Sequence, residues 1–241
     1  MKKLLVIFCL LFMSLVSAEI LKVGTNAEYA PYQFVDKNNK IVGFEIDIVE
    51  AIAKSAGFSK VEWKDQKFDS LMTSLSTKKD FDAVASAFWI TEEKQKKALF
   101  TDPYFEESLV IIVRKDNDDI KNIKDFADKK IGVELGTTNV ELIKQKAKSA
   151  TIVELDTSYM FLSLQEQKVD AIIITKSAGE YAIKNGNLPL KVVGVIPPLN
   201  NVAMALKKNN TKLAARLNDA LKEIKKNGEY QKIYDKWFSQ K

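Results

Sequence analysis

The sequence predicts an α/β chain in two lobes, each a central sheet flanked by helices, with the chain crossing between them twice. Three observations carry that prediction. Short runs rich in β-branched residues alternate with stretches of helical apolar spacing. The alternation occurs twice along the 241 residues, once before and once after Leu109. The tail beyond Pro198 offers one strand and two helices, too little for a domain, so it must pack on a lobe already formed. Composition agrees with a globular chain: 46% of residues are hydrophobic and 29% are charged.

The start of the chain stands apart. Lys2 and Lys3 precede an apolar run from Leu4 to Val16 broken only by Ser14, and Ser17 and Ala18 follow it. A basic start, a short apolar run and a small-residue site describe a secretory signal peptide over residues 1–18, cut after Ala18. The run falls short of the roughly 20 residues that span a bilayer. The expected location is therefore the periplasm. Cleavage removes Cys9, the only cysteine, so the mature chain must fold without a disulfide. Cys9 lies inside the apolar run behind bulky Phe8, a poor place for a lipid anchor.

In the first unit, Ile20 to Gly24 reads as a strand and Tyr29 to Tyr32 as a proline-bearing loop. Ile46, Ile48, Val49, Ile52 and Ala53 recur at helical spacing from Phe44 until Gly57 stops the helix. Lys60 to Lys64 and Phe81 to Ser86 are strands, and Phe68 to Thr77 and Thr91 to Ala98 are helices. The second unit has strands at Leu109 to Val113, Lys130 to Glu134, Thr151 to Leu155, Asp170 to Ile174 and Lys191 to Ile196. Its helices are Ile123 to Ala127, Thr138 to Lys148, Tyr159 to Gln167 and Ser177 to Asn185. The tail gives a strand at Val202 to Leu206 and helices at Thr211 to Lys226 and Glu229 to Phe238, parted by Gly228. Strands alternating with helices imply parallel pairing with right-handed crossovers. The expected lobes are residues 19–107 with 198–241, and 108–197. The crossings fall near Glu107–Leu109 and Ile196–Pro198. A cleft between lobes hinged in this way is a ligand trap.

Composition also excludes chemistry. The chain has no histidine, and its mature part no cysteine, so Ser-His and Cys-His catalysis and zinc sites built on those ligands are ruled out. No cofactor or metal is called for. The formal net charge of +5 includes Lys2 and Lys3, and acids and bases are interspersed elsewhere, which gives no nucleic-acid surface.

Open α/β sheets bind ligands beyond the carboxyl ends of their strands. Those ends are the loop Asn26 to Tyr32 and the segment Ser86-Ala87-Phe88-Trp89 in the first lobe, and Gly136-Thr137-Thr138 in the second. Thr91 reads as a helix cap with acids behind it, so the positive end of that helix is expected to face the cleft and suit an anion; an ordinary helix start reads the same way. Tyr29 and Trp89 sit in loops at strand ends and suit ligand stacking. Phe68, a further candidate for the ligand wall, and Phe88 have the core as their usual alternative.

Several motifs carry a resemblance. Gly43-Phe44-Glu45-Ile46-Asp47-Ile48 followed by Ile52-Ala53, Tyr29-Ala30-Pro31-Tyr32, Ile90-Thr91-Glu92, Phe100-Thr101-Asp102-Pro103-Tyr104, Gly136-Thr137-Thr138 and Gly228-Glu229-Tyr230 occur in order along nearly the whole mature chain. Together they resemble the polar amino-acid-binding proteins of bacterial ABC importers, solute-binding protein family 3. The resemblance implies the type II periplasmic-binding-protein fold, a monomer, a small-molecule ligand such as an amino acid, and a membrane permease as partner.

It also implies sites. Tyr29 matches the aromatic that stacks on the ligand, and Ser86 and the backbone around Trp89 match first-lobe contacts. Thr138 and Asn139 match second-lobe contacts. Two positions depart from the pattern. Lys94 stands where a carboxylate-clamping Arg is usual, and offers a point charge in place of a fork. Thr175 stands where an acid usually holds the α-amino group. Either another acid serves, with Glu134 the nearest candidate and Glu28 the next, or the ligand is not an ordinary α-amino acid. Asn26 occupies a place where histidine and glutamine binders carry Asp. The expected function is solute capture without catalysis. The alternative is a dehydratase-like enzyme on the same scaffold, with Glu134 as its pocket carboxylate.

Overall fold

The computed structural model describes residues 19–77 and 80–238, with residues 198–200 described by their backbone. The signal segment, Cys9 and the cleavage point after Ala18 lie outside the described residues.

The first sheet begins with β1 (Ile20–Thr25), whose inner residues Leu21 and Val23 are fully buried. A short hairpin set follows, β2 (Glu28–Tyr29), β3 (Gln33–Val35) and β4 (Ile41–Val42), which forms a small antiparallel sheet that periodicity did not reveal. Helix α1 (Phe44–Ser55) comes next, and it buries Ile48, Val49 and Ile52. Gly43 caps it at φ 148°, where a side-chain carbon would overlap the carbonyl of Tyr32. Then come β5 (Lys60–Asp65), α2 (Phe68–Thr77), β6 (Ala83–Val84), α3 (Glu92–Lys97) and β7 (Ala98–Phe100).

The second sheet starts with β8 (Phe105–Arg114) and a 3-10 turn at Ile123–Phe126. Strands β9 (Lys130–Glu134), β10 (Thr151–Leu155), β11 (Ala171–Thr175) and β12 (Leu190–Val202) alternate with helices α4 (Thr138–Lys146), α5 (Thr157–Gln165) and α6 (Lys176–Gly186). The tail supplies β13 (Ala205–Lys207), α7 (Thr211–Lys226) and α8 (Glu229–Phe238).

Strand order is β5-β1-β6-β13-β7 in one sheet and β10-β9-β11-β8-β12 in the other. Pairing is parallel among β5, β1 and β6, and among β10, β9 and β11. The all-parallel expectation fails elsewhere: β13 is antiparallel to both of its neighbours, and so is β8. No helix crossover joins either strand to its neighbours, so nothing imposes the parallel direction. In the second sheet β8 is buried from Leu109 to Val113 and β11 from Ala171 to Thr175, as befits strands covered on both faces.

The tail returns to the first sheet. Helix α7 turns Ala214, Leu217, Leu221 and Ile224 inward at helical spacing. Phe238 on α8 stacks on Phe105 at 5.3 Å between ring centres and meets Phe44 at 4.8 Å. Between the sheets the chain runs out along β8 and back along β12, and these two strands pair from Arg114–Leu190 to Phe105–Val202, with a register shift between Ile196 and Asn200.

Candidate functional site

The carboxyl ends of strands from both sheets meet at one cavity enclosing about 420 Å³ of space outside the atoms, its mouth included. From the first sheet and its loops come Asn26, Tyr29, Phe68, Ser86, Ala87, Trp89 and Lys94, and from the second come Glu134, Thr138, Asn139 and Thr175. The structure thus brings all eleven residues singled out from sequence around the same space. Thr137 of the expected Gly136-Thr137-Thr138 turn lines it too, and so does Gln33, which was not singled out.

Ser86 organises the first-sheet wall. Its hydroxyl oxygen accepts from the backbone N–H of Asn26 and from Nε2 of Gln33, both at 3.1 Å. Its own proton is thereby left to donate. Ala87 follows at φ 50°, an unusual conformation for a residue with a side chain. Its N–H donates to Glu45 Oε2 at 2.7 Å, and Tyr104 donates its hydroxyl to the other oxygen of the same carboxylate. Glu45 is fully buried on the first turn of α1, and burial pushes its pKa up to about 7 against the lowering effect of those two hydrogen bonds. As a sequence feature Glu45 reads only as a first-turn acid, and its role in fixing the 86–89 segment was missed.

Trp89 forms a backbone bridge to Val202, and Phe68 stacks on Phe88 at 4.8 Å. Phe88 is a core residue, whereas Phe68 is only half-buried and reaches the cavity. Thr91 caps α3 by accepting from the N–H of Lys94 at 3.2 Å. The expectation that this helix end faces the cleft is corrected: α3 has six residues, and Thr91, Glu92 and Glu93 are absent from the cavity wall, which α3 reaches through Lys94. Lys94 Nζ lies 3.5 Å from the carbonyl of Trp89 and 5.4 Å from the centre of the Phe88 ring. Burial lowers its pKa to about 8, partly offset by Glu93.

On the opposite wall Glu134 ends β9. Thr157 donates its hydroxyl to Glu134 Oε1. Burial raises the Glu134 pKa to about 7, and the acids Glu28 and Asp156 add to the rise. Helix α4 begins just beyond, at Thr138, with Thr137 bonding back to the Glu134 carbonyl through its hydroxyl at 2.7 Å. Gly136 between them has φ 77°, and a side-chain carbon there would sit 2.9 Å from Cβ of Asp69 on α2. Glu28, the other acid weighed from sequence, is exposed outside this wall and shares Lys67 with Asp156 at 3.4 and 3.3 Å.

Tyr29 crosses the cavity. Its ring stacks on Tyr32 at 5.7 Å, and its hydroxyl lies 3.0 Å from Thr175 Oγ1 and accepts from the Thr175 N–H at 3.4 Å. Burial and the neighbouring Glu134 push the Tyr29 phenol well above its ordinary pKa. Behind it Tyr32 donates to Glu107, a buried acid on β8 that also accepts from the N–H groups of Ser108 at 2.9 Å and Ser177 at 3.4 Å.

Among the described residues no cluster of acids could hold a metal ion, and no helix is long and apolar enough to cross a membrane. The family model of bacterial extracellular solute-binding proteins, family 3, matches residues 21–240. The chain is 36% identical to ABC transporter arginine-binding protein 1 of Escherichia coli (strain K12), over 93% of each chain. Among solved structures, an ancestral arginine-binding protein bound to arginine superposes with a TM-score of 0.86 at 40% identity, covering 91% of this chain and 98% of that one. The structure of an ancestral arginine-binding protein bound to glutamine gives the same TM-score and identity, with 92% and 98% covered.

Proposed function

We infer the function from one premise: the chain belongs to the bacterial extracellular solute-binding proteins of family 3. It is an extracytoplasmic solute-binding protein of an ABC importer, with the two-lobed fold of that family, and it is not an enzyme. The dehydratase alternative gives way to this reading, because the relatives are named as binders.

The observation that supports solute capture most directly is the cavity lined from both sides, with Tyr29 of the hairpin beside the first sheet reaching Thr175 of the second. We take residues 19–107 with 198–241 as one lobe and 108–197 as the other. The strands β8 and β12 then form the hinge. Solute enters the open cleft, contacts Tyr29, Phe68, Ser86 and Trp89 on one side and Thr138 and Asn139 on the other, and is enclosed as the lobes meet. Its higher affinity for the closed form drives the shift. The closed monomer then docks on the membrane permease. Relatives named for arginine, and a structure holding glutamine, make amino acids and related amines or carboxylates the solutes to test first.

Isothermal titration of the chain secreted and cut after Ala18 tests this, with a panel of amino acids, amines and small carboxylates. One solute per monomer at micromolar affinity or better is expected. Absence of binding across the panel would overturn the reading. Thermal unfolding gives a second readout, since a solute at a hundredfold excess over Kd stabilises by about 2.7 kcal/mol.

A further inference from the structure

Apart from the Tyr29 phenol, the cavity wall holds two ionisable side chains, Lys94 and Glu134. They come from different sheets. Among the described residues neither has a partner of opposite charge within 4 Å. An unpaired cation and an unpaired carboxylate withdrawn from water in one space are both costly until something meets them.

Resting on the solute-binding reading above, we propose that the solute is a net-neutral zwitterion with a single cationic group, which Glu134 receives, and a carboxylate that faces Lys94.

Two observations, on Thr175 and on Glu134 itself, place the cation at Glu134, and a third shows that the cavity holds further acceptors. Thr175, at the position where the family resemblance implies an acid, carries no charge, and its hydroxyl and its N–H both engage the Tyr29 hydroxyl. Glu134 uses one oxygen to accept from Thr157, and its other oxygen has no hydrogen-bond partner among the described residues. Two more buried acceptors line the same cavity without a donor, Gln33 Oε1 and Asn139 Oδ1. An ammonium or guanidinium brings the N–H groups such oxygens lack.

The carboxylate end is met by donors. Lys94 supplies charge, and the Ser86 hydroxyl has a proton to give because its oxygen already accepts twice. The first turn of α4 adds free N–H groups at Thr138 and Asn139. Burial has moved Glu134 up to about 7 and Lys94 down to about 8, the direction expected of two charges held apart from partners.

A dibasic solute would bring a second cation with no second carboxylate in the wall. Glu28 and Asp156 line an adjoining pocket that shares Glu134 with the cavity, but both are engaged there by Lys67. This departs from the relative named for arginine.

Calorimetric titration of the secreted protein against alanine, glutamine, 4-aminobutyrate, arginine, lysine, putrescine and butyrate tests the proposal. A zwitterion with one cationic group should bind at least tenfold tighter than arginine, lysine, putrescine or butyrate. Glu134→Gln should weaken it at least tenfold, Glu134→Asp should restore part of the loss, and Glu28→Gln should change it less than twofold, with unfolding temperature as the control for folding. Arginine or lysine binding tighter than every neutral zwitterion would overturn the charge assignment and leave solute capture standing. So would a folded Glu134→Gln variant of unchanged affinity. If nothing in the panel binds, solute capture itself falls.

Discussion

The hydroxyl of Tyr29 lies 3.0 Å from the hydroxyl of Thr175, although 146 positions separate the two residues in the chain. One belongs to the hairpin beside the first sheet and the other ends β11 of the second. The contact exists only when the two sheets approach, so it contributes to the enclosed form and not to an open one.

Tyr29→Phe should therefore weaken solute affinity about fivefold, the worth of one hydrogen bond near 1 kcal/mol. Thr175→Val should do the same, and the double variant should be no worse than either alone. A double-mutant cycle by calorimetry reads the coupling directly, and additive losses would show that the contact does not matter for closure.

Gly136→Ala should cost about 1–2 kcal/mol of stability through its φ of 77°. It should also weaken solute binding at least tenfold, because the new carbon would press on Asp69, 2.9 Å away, and hold the sheets apart. Gly228→Ala is the control: its φ of 83° carries a similar backbone cost, but nothing lies within 4 Å of the added carbon. Titration of both variants should show the affinity loss in the first alone.

Glu134 links stability to pH. Its pKa rises from the ordinary 4.5 to about 7 on folding, so the folded form holds the proton more tightly than the unfolded chain. Stability from this group is present below about 4.5 and is lost as pH climbs through about 7. Without solute, Glu134→Gln should be the more stable protein at pH 8, by at most about 3 kcal/mol. The difference should vanish near pH 4. Urea unfolding of both proteins at the two pH values measures it.

Glu45→Ala removes the acceptor of the Ala87 N–H and of the Tyr104 hydroxyl together. It should destabilise by about 2–4 kcal/mol, whereas Tyr104→Phe, which leaves Ala87 bonded, should cost about 1 kcal/mol. Solute affinity should fall with Glu45→Ala far more than with Tyr104→Phe, since only the former frees the 86–89 segment. Denaturant midpoints and calorimetry separate the two effects.

Much of this was legible in the residues. Apolar positions at helical spacing gave α2, α7 and α8 with the bounds observed, and β-branched runs did the same for β9 and β10. The short strands β2, β3, β4 and β7 were not legible, because two or three residues cannot show a period. Strand β8 begins four residues earlier than its apolar run. Glu106, Glu107 and Ser108 lie outside that run, yet Glu107 is buried because Tyr32 and two N–H groups satisfy it. Gln33 escaped notice for a related reason: it reaches the cavity through a hairpin whose pairing lies outside any local pattern. Strand-end reasoning found Asn26, Tyr29, the 86–89 segment and Thr138, because the carboxyl edge of an α/β sheet is set by topology, whereas Lys94, Asn139 and Thr175 came from the family resemblance.

The ribbon of β8 and β12 constrains how the molecule can move. Ladder hydrogen bonds hold two strands at a fixed spacing but let the pair twist at small cost. On the hinge proposed above, relative travel of the sheets is steered into a rotation about that ribbon, with the register shift between Ile196 and Asn200 as the place where it gives. The rows of side chains on the facing edges come back to the same register on every stroke. A guest that tilts the balance slightly needs to supply only the energy of a turn, and the outer surface it reshapes is the same each time.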